Sequence, residues 1–391
     1  MPRIFPFEGL VYDRAVAGPL TSLTAPPYDV ISDPRRARLL EASAYNIVRL
    51  DLAEGPEDPA HPSTRYERAA GLLASWRRAG VLARAPSGYF AYEMRGRLGA
   101  TLVRTRGLFC AMALEPWGGS ILPHEATMPG PVADRLRLLR ATRTHLSAVY
   151  GTIAGPRREL ATLLDDVTER PPSLEVEDEE GITHRMWPIP GDLDVARWLG
   201  DERLLIADGH HRYTTALAYR DERHATDGPG PWDRILTLIV DAAVEDVHVL
   251  PYHRVQLSGD HPLGGRELPD LDALVAALED DPPCVGIVAV SADGAPAYRL
   301  LELRGGPPAV RALHAELLDG TVPDDALRFT HDAADADAAV RRGDAALAYL
   351  LPPTTPARIR GVVDRGERLP RKSTFFWPKP RTGMVLMPLE P

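Results

Sequence analysis

Apolar residues recur along the chain with helical or strand spacing, and this pattern predicts alternating helices and strands. Leu72 and Trp76 share one apolar face, which predicts a helix at about residues 64–80. Short apolar runs rich in β-branched or aromatic residues predict strands. The predicted strands are residues 89–94, 106–114, 149–153, 204–208, 235–240, 247–255, 285–290, 297–303 and 345–351, and further helices are residues 191–199, 269–279, 309–318, 333–342 and 355–366. This mixture predicts an α/β protein of mixed α+β type.

The length of the chain and its turn-forming residues predict three regions. A chain of 391 residues is long enough for two or three domains. We expect an N-terminal α+β region at residues 1–115, a central core at residues 116–260 and a C-terminal α+β domain at residues 261–391 that completes a substrate site. The run His261-Pro262-Leu263-Gly264-Gly265 marks the second boundary.

The charge balance and the cysteines narrow the class of protein. Asp and Glu total 55 against 45 for Lys and Arg, a net charge of −10, which argues against a general nucleic-acid-binding surface. Cys110 and Cys284 lie in apolar runs, so neither a disulfide framework nor a zinc cluster is indicated. No stretch approaches the about 18 apolar residues that span a bilayer, and the first residues lack the apolar core of a signal peptide. We therefore expect a cytoplasmic protein with no membrane partner.

The segment at residues 204–213 carries the strongest indication of function. An apolar run ends at Asp208-Gly209-His210-His211-Arg212 and an amphipathic pattern follows, which predicts a strand, a tight turn and a helix. The first N–H groups of a helix have no helical partner and lie at its positive end, where phosphate binds well. Gly209 allows close backbone approach, Arg212 can bind phosphate through two parallel hydrogen bonds, and either histidine can donate to an oxyanion. The turn therefore predicts a phosphate site.

A structural role is the alternative for each of these residues. Asp208 can cap the helix, Arg212 can pair with a surface carboxylate, and the histidines can be half-buried. The concentration of polar residues at the end of a buried strand favours a ligand site, because open α/β sheets bind ligands there. Asp208 is then a candidate ligand for Mg²⁺ on a nucleotide, or a residue that orients a histidine.

Three further segments offer polar groups. The loop that contains His124, Glu125 and Thr127 precedes a basic helical pattern, and Glu125 can act as general base toward a hydroxyl. The turn Lys372-Ser373-Thr374 can hold an anionic head group, and the pair His253-Arg254 stands at a strand end. The structural alternatives are a solvated or capping glutamate, a basic surface turn, and a pair that packs against the sheet.

Together these candidates fit phosphoryl transfer, which needs an acceptor hydroxyl, a base, a phosphate site and Mg²⁺. The chain has neither Gly-x-Gly-x-x-Gly after a strand nor a Walker-type Gly-Lys-Ser/Thr loop, so ordinary Rossmann or P-loop nucleotide binding is not indicated. A Gly-x-Ser-x-Gly elbow is also absent from the sequence. Zinc would need distant ligands such as His124 or His253 beside the adjacent histidines.

Seven ordered motifs resemble those of the bacterial and archaeal family called domain of unknown function 1015, over nearly the full length of the chain. The motifs are Ala25-Pro26-Pro27-Tyr28-Asp29-Val30, Asn46-Ile47-Val48-Arg49-Leu50, Pro123-His124-Glu125-Ala126-Thr127, Asp134-Arg135-Leu136, Ala207-Asp208-Gly209-His210-His211-Arg212-Tyr213, Leu250-Pro251-Tyr252-His253-Arg254 and Lys372-Ser373-Thr374-Phe375-Phe376-Trp377-Pro378-Lys379.

The segment from Asp208 to Arg212 also resembles the ParB and sulfiredoxin superfamily, particularly its archaeal free serine kinase, which phosphorylates L-serine with ADP. The resemblance implies a ParB/sulfiredoxin-like catalytic core, a nucleotide (ATP or ADP) with Mg²⁺, and a small hydroxylated metabolite such as L-serine as partners. It implies that Glu125 is the base, that Asp208 to Arg212 form the nucleotide and phosphate site, and that Lys372, Ser373 and Thr374 bind serine or phosphoserine. We further predict that Asp208 and His210 are catalytic together with Glu125, and that Asp208 is the Mg²⁺ ligand. The predicted nucleotide-binding residues are Gly209, His210, His211, Arg212, His124 and Thr127, and the predicted substrate-binding residues are Lys372, Ser373, Thr374, Arg254 and His253.

Two other functions stay open beside a small-molecule kinase. The kinship with ParB also fits a non-catalytic module that senses a nucleotide, and the same phosphate site can serve a phosphoserine phosphatase with water as acceptor. Sulfiredoxin has a cysteine where His210 stands, so reduction of sulfinic acids is not expected. Partition function is not expected either, because the chain is acidic and shows no helix-turn-helix pattern.

Overall fold

The computed structural model describes residues 2–53, 55, 64–259, 264–291 and 294–390. Its strands, numbered along the chain, are β1 (Ile4–Phe5), β2 (Leu10–Tyr12), β3 (Leu82–Arg84), β4 (Gly88–Leu98), β5 (Thr101–Ala113), β6 (Ile121–Leu122), β7 (Thr144–His145), β8 (Val149–Ile153), β9 (Leu174–Glu177), β10 (Thr183–Pro190), β11 (Leu204–Asp208), β12 (Arg234–Asp241), β13 (His248–Pro251), β14 (His253–Gln256), β15 (Arg266–Leu268), β16 (Cys284–Val290), β17 (Pro296–Glu302), β18 (Leu327–Thr330), β19 (Leu347–Leu350), β20 (Thr374–Trp377) and β21 (Met387–Pro388).

The α-helices are α1 (Arg14–Ala17), α2 (Asp33–Ala42), α3 (Val48–Asp51), α4 (Thr64–Arg78), α5 (Pro129–Thr142), α6 (Arg158–Thr168), α7 (Val195–Trp198), α8 (His210–Asp227), α9 (Leu271–Ala276), α10 (Ala309–Leu313), α11 (Ala333–Arg341) and α12 (Pro356–Asp364). Single 3₁₀ turns occur at Leu20–Ser22, Tyr28–Val30, Pro231–Asp233 and Asp324–Ala326, and a π-helical turn at His314–Leu318 extends α10.

The chain folds into two compact units. The large unit comprises Met1–Pro123, Thr127–Asp246 and Pro378–Pro391, and the small unit comprises His124–Ala126 and Val247–Trp377. The boundary predicted after residue 115 does not separate units, because β5 and β12 pair in one sheet. The boundary predicted after residue 260 falls inside the small unit, because β14 pairs with β18 and β19. Of the predicted boundary run, residues 261–263 lie outside the described residues.

The large unit is built on a mixed sheet. Among the described residues, nine strands form it in the order β6-β11-β8-β12-β5-β4-β10-β9, with β1 on β5. The pairs β6–β11 and β8–β12 are parallel and the others are antiparallel. Ile206 of β11, Leu160 of α6 and Tyr213 of α8 are buried in one hydrophobic core. The predicted mixed α/β class is therefore confirmed.

The longest strands of that sheet, β4 and β5, form one hairpin. They pair from Phe90 with Phe109 to Leu98 with Thr101, and Gly99 takes a positive φ of 59° in the turn. The sequence predicted only their apolar halves, because Arg95, Arg97 and Arg104 interrupt the apolar pattern in the outer halves.

The small unit is built on an antiparallel sheet. Six strands of the described residues form it in the order β15-β17-β16-β19-β14-β18, and β13 and β20 form a separate ribbon. Val255, Leu274 and Ala339 lie in its core, on a strand and two helices. The strand predicted at residues 247–255 is split at Tyr252, because the segment before this residue pairs with β20 and the segment after it pairs with β18 and β19.

Replacing Gly107 by alanine is expected to destabilise the large unit. An added Cβ would lie 2.5 Å from the carbonyl oxygen of Ile239 on the paired strand β12, and neither backbone can move without disturbing the ladder. We expect a loss of about 1–3 kcal/mol in the free energy of unfolding, measured by urea titration followed by circular dichroism. The matched control is Gly71→Ala in α4, where an added Cβ meets no atom within 4 Å; it should stabilise by up to about 1 kcal/mol. Equal stability of the Gly107 variant and the parent protein would contradict the close approach.

Candidate active site

The 208–212 turn of the large unit joins β11 to α8, as the sequence predicts. Gly209 precedes the helix with φ 97° and ψ 27°, and α8 runs for 18 residues from His210. The backbone N–H of Tyr213 donates to the carbonyl oxygen of Gly209 at 2.9 Å, which starts the helical hydrogen-bond pattern. The positive end of a long helix therefore lies at this turn.

Glycine fits position 209 for two physical reasons. Its left-handed φ is unfavourable for other residues, and an added Cβ would lie 3.0 Å from Nε of Arg212. The guanidinium thus packs directly against the turn. Its buried Nε–H has no hydrogen-bond partner among the described residues, which leaves a donor at the turn for a ligand.

The Asp208 carboxylate pairs with two cations. Oδ2 accepts from Arg212 and Oδ1 accepts from Lys379, while Arg212 also donates to the carbonyl oxygen of Ala148. This group of three carries one excess positive charge at the positive end of α8. Because cations are unfavourable at a helix N-terminus, the arrangement suits a bound anion.

The two histidines of the turn have different surroundings. His210 is buried and its ring stacks on Trp117, with centroids 6.0 Å apart and planes inclined by 19°. Nε2 of His211 accepts from the backbone N–H of Met128 at 3.0 Å, so the proton of a neutral ring is assigned to Nδ1. Thr127, the residue before Met128, is partly exposed.

A small cavity of about 40 Å³ lies beside Arg212. Asp51, Arg135 and Arg212 line it. Arg135 donates to the Asp51 carboxylate at 3.0 Å, and the other carboxylate oxygen is buried with no hydrogen-bond partner among the described residues. Burial raises the pKa of Asp51, and the charges of Arg135 and Arg212 oppose this shift. The N-terminal region thus places a buried carboxyl group close to Arg212.

Glu125 lies in the small unit, where the 372–374 turn binds its carboxylate. Oε1 accepts from the backbone N–H groups of Ser373 at 2.9 Å and Thr374 at 3.1 Å, and Oε2 accepts from that of Lys372 at 3.1 Å. The Thr374 hydroxyl donates to Oε1 at 3.1 Å. Lys372 takes a positive φ of 53°, and consecutive N–H groups in such a turn form an anion-binding concavity. The turn therefore holds an ionised carboxylate, which accepts hydrogen bonds and donates none.

His124 and Thr374 form a buried pair beside Glu125. Nε2 of His124 lies 2.7 Å from the Thr374 hydroxyl and 3.6 Å from Oε1 of Glu125, and the imidazole packs against Phe376 at 5.7 Å. The predicted substrate residues Ser373 and Thr374 are themselves buried. Their backbone N–H groups donate to Glu125, and their predicted contact with substrate stays a prediction.

Arg254 and His253 are also buried in the small unit. Arg254 has 0% exposure and donates to the carbonyl oxygens of Lys372 at 2.9 Å and Arg371 at 3.2 Å. Burial lowers the pKa of Arg254 to about 9, and the charge of Glu125 opposes this shift. Nδ1 of His253 accepts from the backbone N–H of Leu351 at 3.1 Å. Arg254 thus supports the backbone of the turn and His253 binds the backbone just after β19, and their predicted contact with substrate stays a prediction.

The sequence did not single out Lys379 or Asp51 as site residues. Each lies far along the chain from Asp208, and neither stands in a local pattern that indicates chemistry. The one signal that could have identified Lys379 is its place at the end of the family motif at residues 372–379. For Mg²⁺, the described residues contain no group of three His, Cys, Asp or Glu side chains that could hold a metal ion. A Mg²⁺ ion at Asp208 would therefore depend on phosphate oxygens and water for its other ligands.

None of the helices in the described part of the chain is long and apolar enough to cross a membrane. No curated protein matches the chain significantly. Among solved structures, a free serine kinase in complex with AMP is 16% identical, with a TM-score of 0.37, and the match covers 69% of this chain and 86% of that one. SbnI with C-terminal truncation from Staphylococcus aureus is 10% identical, with a TM-score of 0.38 and coverage of 72% and 87%. A conserved hypothetical protein from Pyrococcus furiosus is 14% identical, with a TM-score of 0.33 and coverage of 69% and 90%.

The family model described as "Protein of unknown function (DUF1015)" matches residues 4–267 of the 391 in the chain. The match takes in the strand, turn and helix around Gly209 as well as Glu125. Because the model spans more than half of the chain, this protein belongs to the DUF1015 family.

Proposed function

We propose that this protein is a small-molecule kinase that transfers a phosphate group from ATP or ADP to the hydroxyl of L-serine or a related hydroxy compound. The observation that carries the proposal is the excess positive charge of Asp208, Arg212 and Lys379 at the N-terminus of α8. Phosphate is the anion that such a helix end, with an adjacent glycine and arginine, binds best.

The 208–212 turn is assigned to the phosphate chain of the nucleotide. Gly209 leaves room for close backbone approach, and Arg212 can use its unpartnered Nε–H. His210, stacked on Trp117, is assigned a donor role toward a phosphate oxygen. Mg²⁺, when bound, would neutralise phosphate charge, and Asp208 is the residue predicted to contact it.

Glu125 is assigned the role of general base. Its carboxylate takes the proton from the acceptor hydroxyl, the hydroxyl oxygen bonds to the terminal phosphorus, and the bond from that phosphorus to the nucleotide oxygen breaks. The nucleotide leaves with one phosphate fewer. A base must be ionised before the reaction, and the ionised form is the one that the backbone N–H groups of Lys372, Ser373 and Thr374 bind. The ammonium of Lys372, which lies 5.2 Å from the Tyr252 ring centre, is suited to a carboxylate on the acceptor.

The proposal predicts a phosphoserine resonance in ³¹P NMR spectra of the protein with Mg²⁺, L-serine and either ATP or ADP. Glu125→Gln should lower turnover at least about 100-fold, because general base catalysis is lost, while the dissociation constant for the nucleotide stays unchanged. Urea unfolding of this variant is the control, since the amide –NH₂ of glutamine would meet a backbone N–H donor. Unaltered turnover would remove Glu125 as the base.

Nucleotide binding without turnover on hydroxy compounds would favour the sensing module, and phosphate release from phosphoserine without nucleotide would favour the phosphatase.

Arg212→Ala is expected to raise the dissociation constant for ADP about 10- to 100-fold, because a charge-assisted hydrogen bond to phosphate is lost. The matched control is Arg220→Ala on the same helix, whose guanidinium pairs with Asp221 and the carbonyl oxygen of Leu114. Isothermal titration calorimetry of both variants provides the comparison. Equal ADP affinity in the two variants would refute the phosphate assignment of the 208–212 turn.

A further inference from the structure

Residues 25–30, a family motif with no role in the proposed function, and Pro378-Lys379, the end of another motif, lie far apart in the chain. In the large unit, residues from both lie at the 208–212 turn. The Lys379 ammonium pairs with Asp208 and lies 3.8 Å from Oδ2 of Asp29. Its side chain is only 9% exposed, so this charge is held among protein groups and largely out of solvent.

The backbone around Lys379 is restricted on both sides. Pro378 and Pro380 flank the lysine, and each proline ring fixes its own φ and restricts the residue before it. We call residues 378–381 the strap. Arg381, at the end of the strap, is a buried cation with a side-chain exposure of 3%.

Arg381 is bound by groups from three other parts of the large unit. Its guanidinium donates to the hydroxyl of Thr24 at 2.7 Å, to the carbonyl oxygen of Thr24 at 3.1 Å and to the carboxylate of Glu179 at 3.1 Å. Its backbone N–H donates to the hydroxyl of Tyr92 at 3.1 Å. These bonds fix the position of the residue and the end of the strap.

A second set of hydrogen bonds holds Tyr92. Its hydroxyl lies 2.8 Å from Nδ1 of His184, and Nε2 of His184 lies 3.1 Å from the carboxylate of Asp178. Burial lowers the pKa of His184, so the ring is neutral at pH 7 and offers one donor and one acceptor. Tyr92 therefore donates to Nδ1 while it accepts from Arg381, and His184 donates to Asp178. Each hydroxyl and ring nitrogen in this set has a partner.

The pair of Lys379 and Asp208 is poorly explained by stability alone. A buried ion pair contributes little to folding once desolvation is counted, and a cation at the N-terminus of a helix opposes the helix dipole. Asp208 already has Arg212 as a partner. A second cation at this position is favourable when an anion binds at the turn. An ammonium has three donors, so it can contact a carboxylate and a phosphate together.

We infer that Lys379 is a phosphate-binding residue of the 208–212 turn and that Arg381 is the positioning residue that holds it there through the strap. This inference rests on the proposed function, since it assigns one more contact to the phosphate chain of the nucleotide. Asp29, from the N-terminal region, is a second counter-charge that weakens the positive potential of the site until phosphate binds.

The test compares the full-length protein with Lys379→Met, Lys379→Arg, Arg381→Lys and Asp29→Asn by calorimetric titration with adenosine, AMP and ADP. We expect Lys379→Met to weaken ADP binding about tenfold or more, with adenosine binding unchanged, because the lost contact is to phosphate. Lys379→Arg should retain part of the affinity, since it keeps the charge.

Arg381→Lys should lose ADP affinity while adenosine affinity is kept. Asp29→Asn should bind ADP a few-fold more tightly, because a like charge is removed.

Each outcome decides the inference. If Lys379→Met binds ADP as tightly as the parent protein, the phosphate role of Lys379 is wrong, and the proposed kinase is then decided by Arg212→Ala and by the phosphoserine measurement. If the parent protein binds none of the nucleotides, both the inference and the proposed function fail. If Lys379→Met does not fold in a urea titration, Asp29→Asn decides, because Asp29 is partly exposed; unchanged ADP affinity in that variant would overturn the inference. Equal losses for adenosine and ADP in Arg381→Lys would reduce Arg381 to a structural residue.

Discussion

The charge arrangement at the start of α8 is the constraint on which the large unit's site depends. One carboxylate, Asp208, separates two cations at a helix end that is itself positive. The arrangement is fixed by neighbouring strands, because Asp208 ends β11 and Arg212 donates to the carbonyl oxygen of Ala148, just before β8. Since β8 and β11 are hydrogen-bonded neighbours, the sheet itself sets the distance between the arginine and the turn. Phosphate is the ligand that we propose for this site.

The small unit uses the opposite arrangement, a carboxylate held by backbone donors. Glu125 satisfies consecutive N–H groups of the 372–374 turn, and the buried Arg254 binds carbonyl oxygens of the same turn. An arginine with a pKa lowered to about 9 by burial is still charged at pH 7. The turn is therefore fixed by an anion at its N–H groups and a cation at its carbonyl groups. This explains why Ser373, Thr374 and Arg254, which the sequence suggests for substrate binding, are buried.

Local sequence patterns predicted those elements whose structure depends on neighbouring residues in the chain. The strand, turn and helix around Gly209 were predictable, because an apolar run, a glycine and a helical period are adjacent in the chain. Most elements of the small unit lie close to their predicted positions for the same reason. The split at Tyr252 was not predictable, since it depends on which strands pair on each side. Lys379 was missed for a similar reason: it is 171 positions from Asp208 in the chain, and no local period connects them.

The role of the N-terminal region follows from where its polar groups are used. Thr24 binds Arg381, Asp29 lies near Lys379, and Asp51 binds Arg135 beside the cavity that Arg212 lines. Each of these contacts links the first 51 residues to a charge near the 208–212 turn or to the strap that carries one. A region that served only as a separate module would not need polar groups paired with these cations. These contacts therefore connect the beginning and the end of the large unit to the proposed phosphate site.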